Sequence, residues 1–243
     1  MIIELTIIGI FVGFISGFFG VGGGMILVPI LIYLGFDIKN AIGISVVSML
    51  FSSVYGSYLN YKKGLLLLDN TLFFGLGGFV GGLGGGYVVD RLSSQSLTFI
   101  LFFVVLFAIY KFFHSPIVSN KKELNHKILF VSIGLVIGLL STSVGIGGAI
   151  LLVPIMVGFL YFDIKRAIAV SLFFVVFSSF AGFISLSFYG YIDYYHGVIV
   201  GVSSLLGVFF GISISHKTNP KRHKSLILIL DFIILGLIAN KLL

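Results

Sequence analysis

Long apolar segments follow one another along this chain, separated by short polar or glycine-rich interruptions. Five fall in the first half, at roughly 3–18, 24–35, 40–60, 68–89 and 95–113, and five in the second, at roughly 128–143, 149–161, 167–188, 195–215 and 224–242. About 20 apolar residues in a helix span the hydrocarbon core of a bilayer, and a helix satisfies its own backbone there. The pattern predicts an all-α polytopic membrane protein.

The two halves of the pattern repeat each other. Residues 13–30 read GFISGFFGVGGGMILVPI, and residues 138–155, which lie 125 positions later, read GLLSTSVGIGGAILLVPI. The match continues at an offset of 126, where residues 36–39 and 162–165 both read FDIK. We interpret this as an internal duplication, with a first transmembrane repeat at 1–114, a cytoplasmic linker at 115–127 and a second transmembrane repeat at 128–243.

Positive charge predicts how the repeats are oriented, because Lys and Arg collect in cytoplasmic loops. If both segments at each glycine-rich interruption count as passages, 12 Lys and Arg residues fall on one side of the membrane and 3 on the other. Counting each pair as one broken helix would divide them 7 against 8, without bias. The first count predicts inverted repeats in the plasma or inner membrane, with both termini outside and the linker in the cytoplasm.

The second segment of each repeat is short. Residues 25–35 rise only about 16 Å as a helix, about half of the ~30 Å hydrocarbon core. This length favours a re-entrant, glycine-interrupted helix pair at the start of each repeat. Interrupted segments in corresponding positions of two repeats are typical of a transporter's binding site.

The glycine-rich turn of each repeat opens the short helix that follows. The first amides of a helix have no internal partner and lie at the positive end of its dipole, and glycine lets a ligand approach the backbone closely. The turns therefore form a candidate anion site without a formal cation. The simpler alternative is that glycine only permits a tight turn and close packing. The candidate substrate-binding residues here are Ser16, Gly20, Gly22, Gly23, Gly24, Ser141, Thr142, Ser143, Gly145, Gly147 and Gly148.

Serines on the third segment of each repeat extend this candidate site. Ser45, Ser48 and Ser52 share one helical face through their three- and four-residue spacing. Ser171 and Ser178 repeat the pattern in the second half. We include Ser45, Ser48 and Ser171 as a polar wall beside the turns; small-residue helix packing is the alternative.

Asp231 is the acidic residue in the apolar stretch SLILILDFIILGL. It lies nine residues past Arg222, which is about 13 Å along a helix. A carboxyl group at such depth is costly and by default suggests a function. We predict that it carries a coupling proton; the alternative is a protonated carboxyl hydrogen-bonded to a neighbouring helix. Asp37 and Asp163 stand just before their segments and are expected to cap helices.

Composition narrows the function further. The chain is 58% hydrophobic and only 9% charged, against roughly 25% charged residues in soluble domains. Its net charge of +7 therefore indicates membrane orientation and not nucleic-acid binding. The chain has no cysteine and no H-E-x-x-H, G-x-S-x-G or G-x-G-x-x-G motif. We expect no enzyme activity, no cofactor and no metal. The expected partners are a small anionic substrate and the lipid bilayer, and a homodimer is left open.

The motifs GFFGVGGGMILVPIL and STSVGIGGAILLVPIM resemble the TauE/SafE family of membrane transporters, which is named for sulfite and organosulfonate export. The resemblance covers essentially the whole chain and implies functional roles for the turn glycines and for Pro29 and Pro154. The second turn departs from the pattern, because Ala149 stands where the first turn has Gly24. The two turns therefore need not be equivalent.

Residues and resemblance together favour a secondary transporter that moves sulfite, an organosulfonate or a related sulfur oxyanion by alternating access. No sequence resembles an ATP site, so an ion or substrate gradient would supply the energy. Three alternatives remain open: an anion channel, a transporter for a non-sulfur carboxylate or oxyanion, and a membrane scaffold or intramembrane enzyme.

Overall fold

The protein is all-helical in the computed structural model, which describes residues 2–67, 69–114 and 123–242. The helices in these ranges are α1 Ile2–Phe19, α2 Gly24–Tyr33, α3 Ile38–Lys62, α4 Leu72–Leu83, α5 Gly85–Arg91, α6 Ser94–His114, α7 Lys127–Val144, α8 Ala149–Gly158, α9 Ile164–Phe188, α10 Tyr194–Lys217 and α11 Pro220–Leu242. Eight spans, with α4 and α5 counted as one, are long and apolar enough to cross a membrane, whereas α2 and α8 have ten residues each. The predicted all-α polytopic class is confirmed. Most of the predicted linker, 115–122, lies outside the described residues.

The fourth segment differs from the hydrophobic pattern, because it is divided into two helices. Helix α4 ends at Leu83 and α5 begins at Gly85. Glycines crowd the sequence on both sides of Gly84, and each weakens a helix by about 1 kcal/mol relative to alanine. Hydropathy continues unbroken through this point, so the pattern of apolar positions does not detect the division.

Two 25-residue helices, α3 and α9, form the buried centre of the molecule. They occupy corresponding positions in the two repeats and pack against each other. Around them, the first helix of each repeat packs against the opposite repeat: α1 lies along α10, and α7 lies along α4. The last helices, α6 and α11, also pack together. The two halves therefore share one interior.

Glycine makes the close helix contacts possible. The glycines at 78, 82 and 86 and at 207 and 211 recur at every fourth position in the sequence, a spacing that predicts close helix packing, and they do lie at helix contacts. A Cβ atom on Gly82 would lie 2.9 Å from the Cβ of Ala181, and one on Gly207 would collide with the carbonyl of Ile10. Such small residues let backbones approach each other in membrane helices.

Aspartates cap the central helices, as predicted. The Asp37 carboxylate accepts from the Lys39 amide at 2.9 Å, and the Asp163 carboxylate accepts from the Lys165 amide at 2.8 Å. Asp193 caps α10 in the same way, by accepting from the His196 amide. Burial acts to raise the pKa of Asp193, but hydrogen bonds from His196 outweigh it and lower that pKa. Each cap satisfies amides that α3, α9 and α10 leave without partners.

Polar contacts define two ends of the molecule. At the end that we call the linker face, the Arg166 guanidinium binds the carboxylates of Asp69 and Glu123, and the Leu124 amide donates to the carbonyl of Leu160. The connection between α8 and α9 and the one between α3 and α4 therefore lie together there.

At the other end, which we call the opposite face, a second set of connections meets. Ser94 donates to the Asp37 carboxylate at 3.1 Å, and the Tyr191 hydroxyl donates to the Asp90 carboxylate at 3.0 Å. The Lys39 ammonium donates to the carbonyl of Asp90. This face therefore holds the connection between α2 and α3 and the one between α9 and α10.

Candidate functional site

The two glycine-rich turns follow the same backbone path. Three glycines in each turn have positive φ values, which side-chain-bearing residues rarely adopt. The corresponding pairs are Gly20 (74°) and Gly145 (69°), Gly22 (71°) and Gly147 (78°), and Gly23 (81°) and Gly148 (70°). The sequence repeat is therefore also a repeat of local geometry, and glycine is required at all six positions.

The turns lie against the midpoints of the two central helices. A Cβ atom on Gly24 would lie 2.7 Å from Met49 Sδ, and one on Gly22 would lie 2.7 Å from Val175 Cγ1. Met49 and Val175 are each the twelfth residue of a 25-residue helix. The turns are thus held at half the height of α3 and α9.

The two turns also contact each other. A Cβ atom on Gly147 would lie 2.7 Å from the carbonyl oxygen of Val21, and one on Gly24 would collide with the carbonyl oxygen of Gly145. All residues from Gly20 to Gly24 and from Gly145 to Ala149 are buried. The structure therefore brings both predicted turns into one closed centre.

Helices α2 and α8 begin in this centre without a side-chain cap. In α2 the first intrahelical donors are Ile26 and Leu27, which bond to the Gly23 carbonyl; in α8 they are Leu151 and Leu152, which bond to the Gly148 carbonyl. The leading amides of both helices therefore receive neither an intrahelical acceptor nor a capping side chain. A helix start that is buried in this state is a place where a ligand can complete the hydrogen bonding.

Serines on the central helices hold both turns through hydrogen bonds to turn carbonyls. The Ser45 hydroxyl donates to the Gly145 carbonyl at 2.7 Å, and the Ser171 hydroxyl donates to the Gly20 carbonyl at 3.1 Å. Ser52, which sequence reasoning placed on the same face but not in the site, donates to the Gly22 carbonyl at 3.1 Å. These bonds occupy turn carbonyls and leave the leading amides of α2 and α8 without an acceptor.

The remaining predicted hydroxyls divide into two groups. Ser16 and Ser48 are fully buried, and their hydroxyl oxygens have no hydrogen-bond partner among the residues described. Thr142 instead donates to the carbonyl of Ser178, and Ser143 donates to that of Leu139 in its own helix. Ser141 is buried, and its carbonyl accepts from the amides of Gly145 and Ile146.

The exchange of Gly24 for Ala149 has a structural reason. A Cβ atom on Gly24 would meet the Gly145 carbonyl, and it would lie 2.6 Å from the Ser45 hydroxyl. Ala149 carries its methyl group in a fully buried position at the start of α8. Gly24 of the first turn therefore lies closer to the second turn than Ala149 of the second turn lies to the first. The two turns are not packed equivalently.

Asp231 faces the same centre from α11. It is 2% exposed, and its Oδ1 atom has no hydrogen-bond partner within the described ranges. It lines a cavity of about 10 Å³ together with Val21 of the first turn and with Ala149 and Ile150 at the start of α8. This volume is near the lower limit for one water molecule. Asp231 and the first two residues of α8 thus line the same cavity.

His223 is a buried polar residue that sequence reasoning missed. It is fully buried, its Nε2 atom lies 2.8 Å from the Phe18 carbonyl, and its ring stacks on Phe18 with centroids 4.6 Å apart. It precedes Asp231 by eight residues, so the two lie on one face of α11. That spacing is the only signal in the sequence that relates it to the site.

Within the described residues, no three His, Asp or Glu side chains come together in a way that could hold a metal ion. The groups that meet in the centre are backbone amides, serine hydroxyls and one carboxyl group. This chemistry suits recognition of an anion by hydrogen-bond donors.

Comparison with known proteins finds membrane transporters that are similar to this chain over most of its length. The family model described as sulfite exporter TauE/SafE matches residues 5–238. A probable membrane transporter protein of Methanocaldococcus jannaschii is 27% identical, with 89% of this chain and 87% of that protein covered. The probable membrane transporter protein YunE of Bacillus subtilis is 26% identical, with 99% and 96% covered. No solved structure matches. The protein is a multi-pass membrane transporter and not an enzyme, and the chain belongs to the sulfite exporter TauE/SafE family.

Proposed function

We propose that this protein is a secondary transporter for small anions, with sulfite, an organosulfonate or a related sulfur oxyanion as substrate. The observation that carries the proposal is the meeting of two buried, uncapped helix starts at half the height of α3 and α9. Each helix start is equivalent to roughly half a positive charge. Two of them in a medium of low dielectric constant favour an anion without a lysine or arginine.

The transport mechanism that we propose is alternating access. Both turns are buried in this structure, so it corresponds to an occluded state of the site. Inverted repeats would open the site to each side in turn. In support, the connection between α2 and α3 lies at the opposite face, whereas the corresponding connection between α8 and α9 lies at the linker face.

We place the protein in the plasma or inner membrane, with the linker face toward the cytoplasm and both termini outside. The charge pattern supports this orientation, because basic residues such as Lys63, Lys165 and Arg166 lie at the linker face, and Lys39 lies at the opposite face.

Asp231 is proposed to couple proton movement to anion movement. Asp231 and the first two residues of α8, Ala149 and Ile150, line one small cavity. An ionised carboxylate and an anion at those amides would repel each other strongly in this buried setting. Binding of the anion therefore favours the protonated form of Asp231, and anion and proton occupy the centre together.

The test of this function is a ligand panel on purified protein. Sulfite, sulfate, thiosulfate, short organosulfonates and carboxylates are added separately, and the midpoint of thermal unfolding is measured. A ligand that binds only the folded state stabilises it by RT ln(1 + L/Kd), where L is the free ligand concentration, so at equal concentration the tighter ligand raises the midpoint more. Sulfite or an organosulfonate should give the largest increase; stabilisation by carboxylates alone would reassign the substrate, and none at all would reject the anion site.

Uptake into liposomes then separates a transporter from an anion channel. The proposal predicts uptake that saturates with anion concentration and that an imposed pH gradient accelerates. Flux that follows only the electrochemical gradient of the anion, at channel rates, would contradict alternating access.

A further inference from the structure

An apolar groove opens on the outside of the helix bundle, away from the glycine-rich turns. Its volume is about 710 Å³, and it lies between α3 and α10 with one contribution from α9. Val54 is 53% exposed inside it, although α3 is otherwise among the most buried helices. The principal lining residues are Val47, Phe51, Val54, Tyr58, Val198 and Leu205.

The two repeats differ at this groove. By the offset of 126, Val54 and Leu205 correspond to Phe180 and Phe79. The rings of Phe79 and Phe180 pack against each other, with centroids 6.2 Å apart. Two phenylalanines therefore meet at the place in one half where a valine and a leucine leave the groove open in the other half.

The groove has the dimensions of a lipid site. From Val47 to Tyr58 it follows α3 for about 16 Å, which is close to the depth of one leaflet, half of the ~30 Å core. A second copy of the protein fits the groove less well than a lipid does. Its helices would cross both leaflets, whereas the groove extends over one, and its convex surface would not fill a concave groove.

Positive charge lies just beyond one end of the groove. The Lys62 ammonium stands 4.8 Å from the centroid of the Tyr58 ring, which lines the groove, and Lys62 is exposed. The neighbouring Lys63 is also exposed, and its ammonium reaches the Ser213 hydroxyl on α10 at 3.5 Å. Both ammonium groups thus lie at the C-terminal end of α3, and one of them reaches α10, at the level where a lipid phosphate would be.

We propose that the groove binds one anionic phospholipid, with an acyl chain along Val47, Val54 and Tyr58 and its phosphate at Lys62 and Lys63. The apolar walls accept the chain through burial of its methylene groups. The lysines select a headgroup with net negative charge over a zwitterionic one. This site is independent of the anion that the protein transports.

The experiment compares two lipids that differ only in the headgroup. Delipidated protein in detergent receives dioleoyl phosphatidylglycerol or dioleoyl phosphatidylcholine; native mass spectrometry counts bound lipids, and thermal unfolding gives the stabilisation. The proposal predicts one retained phosphatidylglycerol and a larger increase in unfolding temperature than with phosphatidylcholine. Equal retention and equal stabilisation by both lipids would overturn it.

Two variants locate the site. Val54→Phe copies the phenylalanine of the other repeat and should remove the retained lipid, whereas Val80→Phe, at a position 58% exposed on α4, should not. The double variant Lys62→Gln with Lys63→Gln should make the two lipids equivalent. If Val54→Phe retains as much lipid as the wild type, the proposal is overturned. It is also overturned if the wild type is a dimer and Val54→Phe is a monomer, because a second copy of the protein would then occupy the groove.

Discussion

Gly147→Ala should weaken anion binding at least tenfold while the protein still inserts into the membrane and purifies. Gly147 has a φ of 78°, and a Cβ atom there would lie 2.7 Å from the Val21 carbonyl oxygen and 2.9 Å from Met49 Sδ. The left-handed backbone alone costs an alanine about 1–2 kcal/mol, and the contact with the first turn adds about 1–3 kcal/mol of overpacking. The turns must separate, so we expect at least a tenfold loss of affinity, about 1.4 kcal/mol, in the thermal-shift titration.

Gly64→Ala is the matched control for this variant. Gly64 has a φ of 73°, and a Cβ atom there would meet no other atom within 4 Å. It therefore carries the same backbone cost without the contact between the turns. Anion affinity should remain at the wild-type value in Gly64→Ala. Equal affinities in the two variants would remove the turns from the binding site.

Asp231→Asn should abolish the pH dependence of anion binding. If anion and proton enter the centre together, wild-type affinity falls as pH rises, by up to about tenfold per pH unit once the carboxyl group ionises in the empty site. Asparagine has nearly the same shape, but it neither ionises nor repels the anion. The variant should bind at high pH as tightly as at low pH, and its uptake into liposomes should no longer respond to an imposed pH gradient.

Asp90→Asn provides the comparison for this second variant. Asp90 is exposed at the opposite face, where it accepts from the Tyr191 hydroxyl. Its replacement should leave the pH profile of the wild type unchanged. A profile that persists in Asp231→Asn would assign proton coupling to another group, and the buried His223 would be the next residue to replace.

The sequence predicts much of this fold because its strongest signals are local. Glycine at positive φ and aspartate before α3 and α9 each follow from backbone geometry over a few residues. The repeat at 125 and 126 positions doubles every such signal. The helical class, the aspartate caps and the packing glycines are therefore confirmed in the structure.

Other features depend on contacts between distant parts of the chain. No local pattern indicates that Thr142 donates to Ser178, 36 residues away, or that Gly24 touches the second turn while Ala149 carries a methyl group. The position of Asp231 beside α8 likewise follows from the packing of α11. Such contacts arise from side-chain rotamers and helix packing, which composition and periodicity do not determine.

The burial of His223 also depends on contacts between distant parts of the chain. It follows the basic residues Lys221 and Arg222, so the sequence suggests a solvated helix start. In the structure it is fully buried against Phe18, because α1 reaches the first turn of α11. Only the fold decides which face of that turn points inward.

The position of a bound anion tests the central claim most directly. Selenite is a close analogue of sulfite, and its selenium atom can be located by anomalous scattering in crystals of the protein. We expect one selenium peak between the leading amides of α2 and α8, within hydrogen-bond distance of residues 22–25 or 147–150. Selenium found only beside lysines and arginines at the two faces, with an empty centre, would contradict the account.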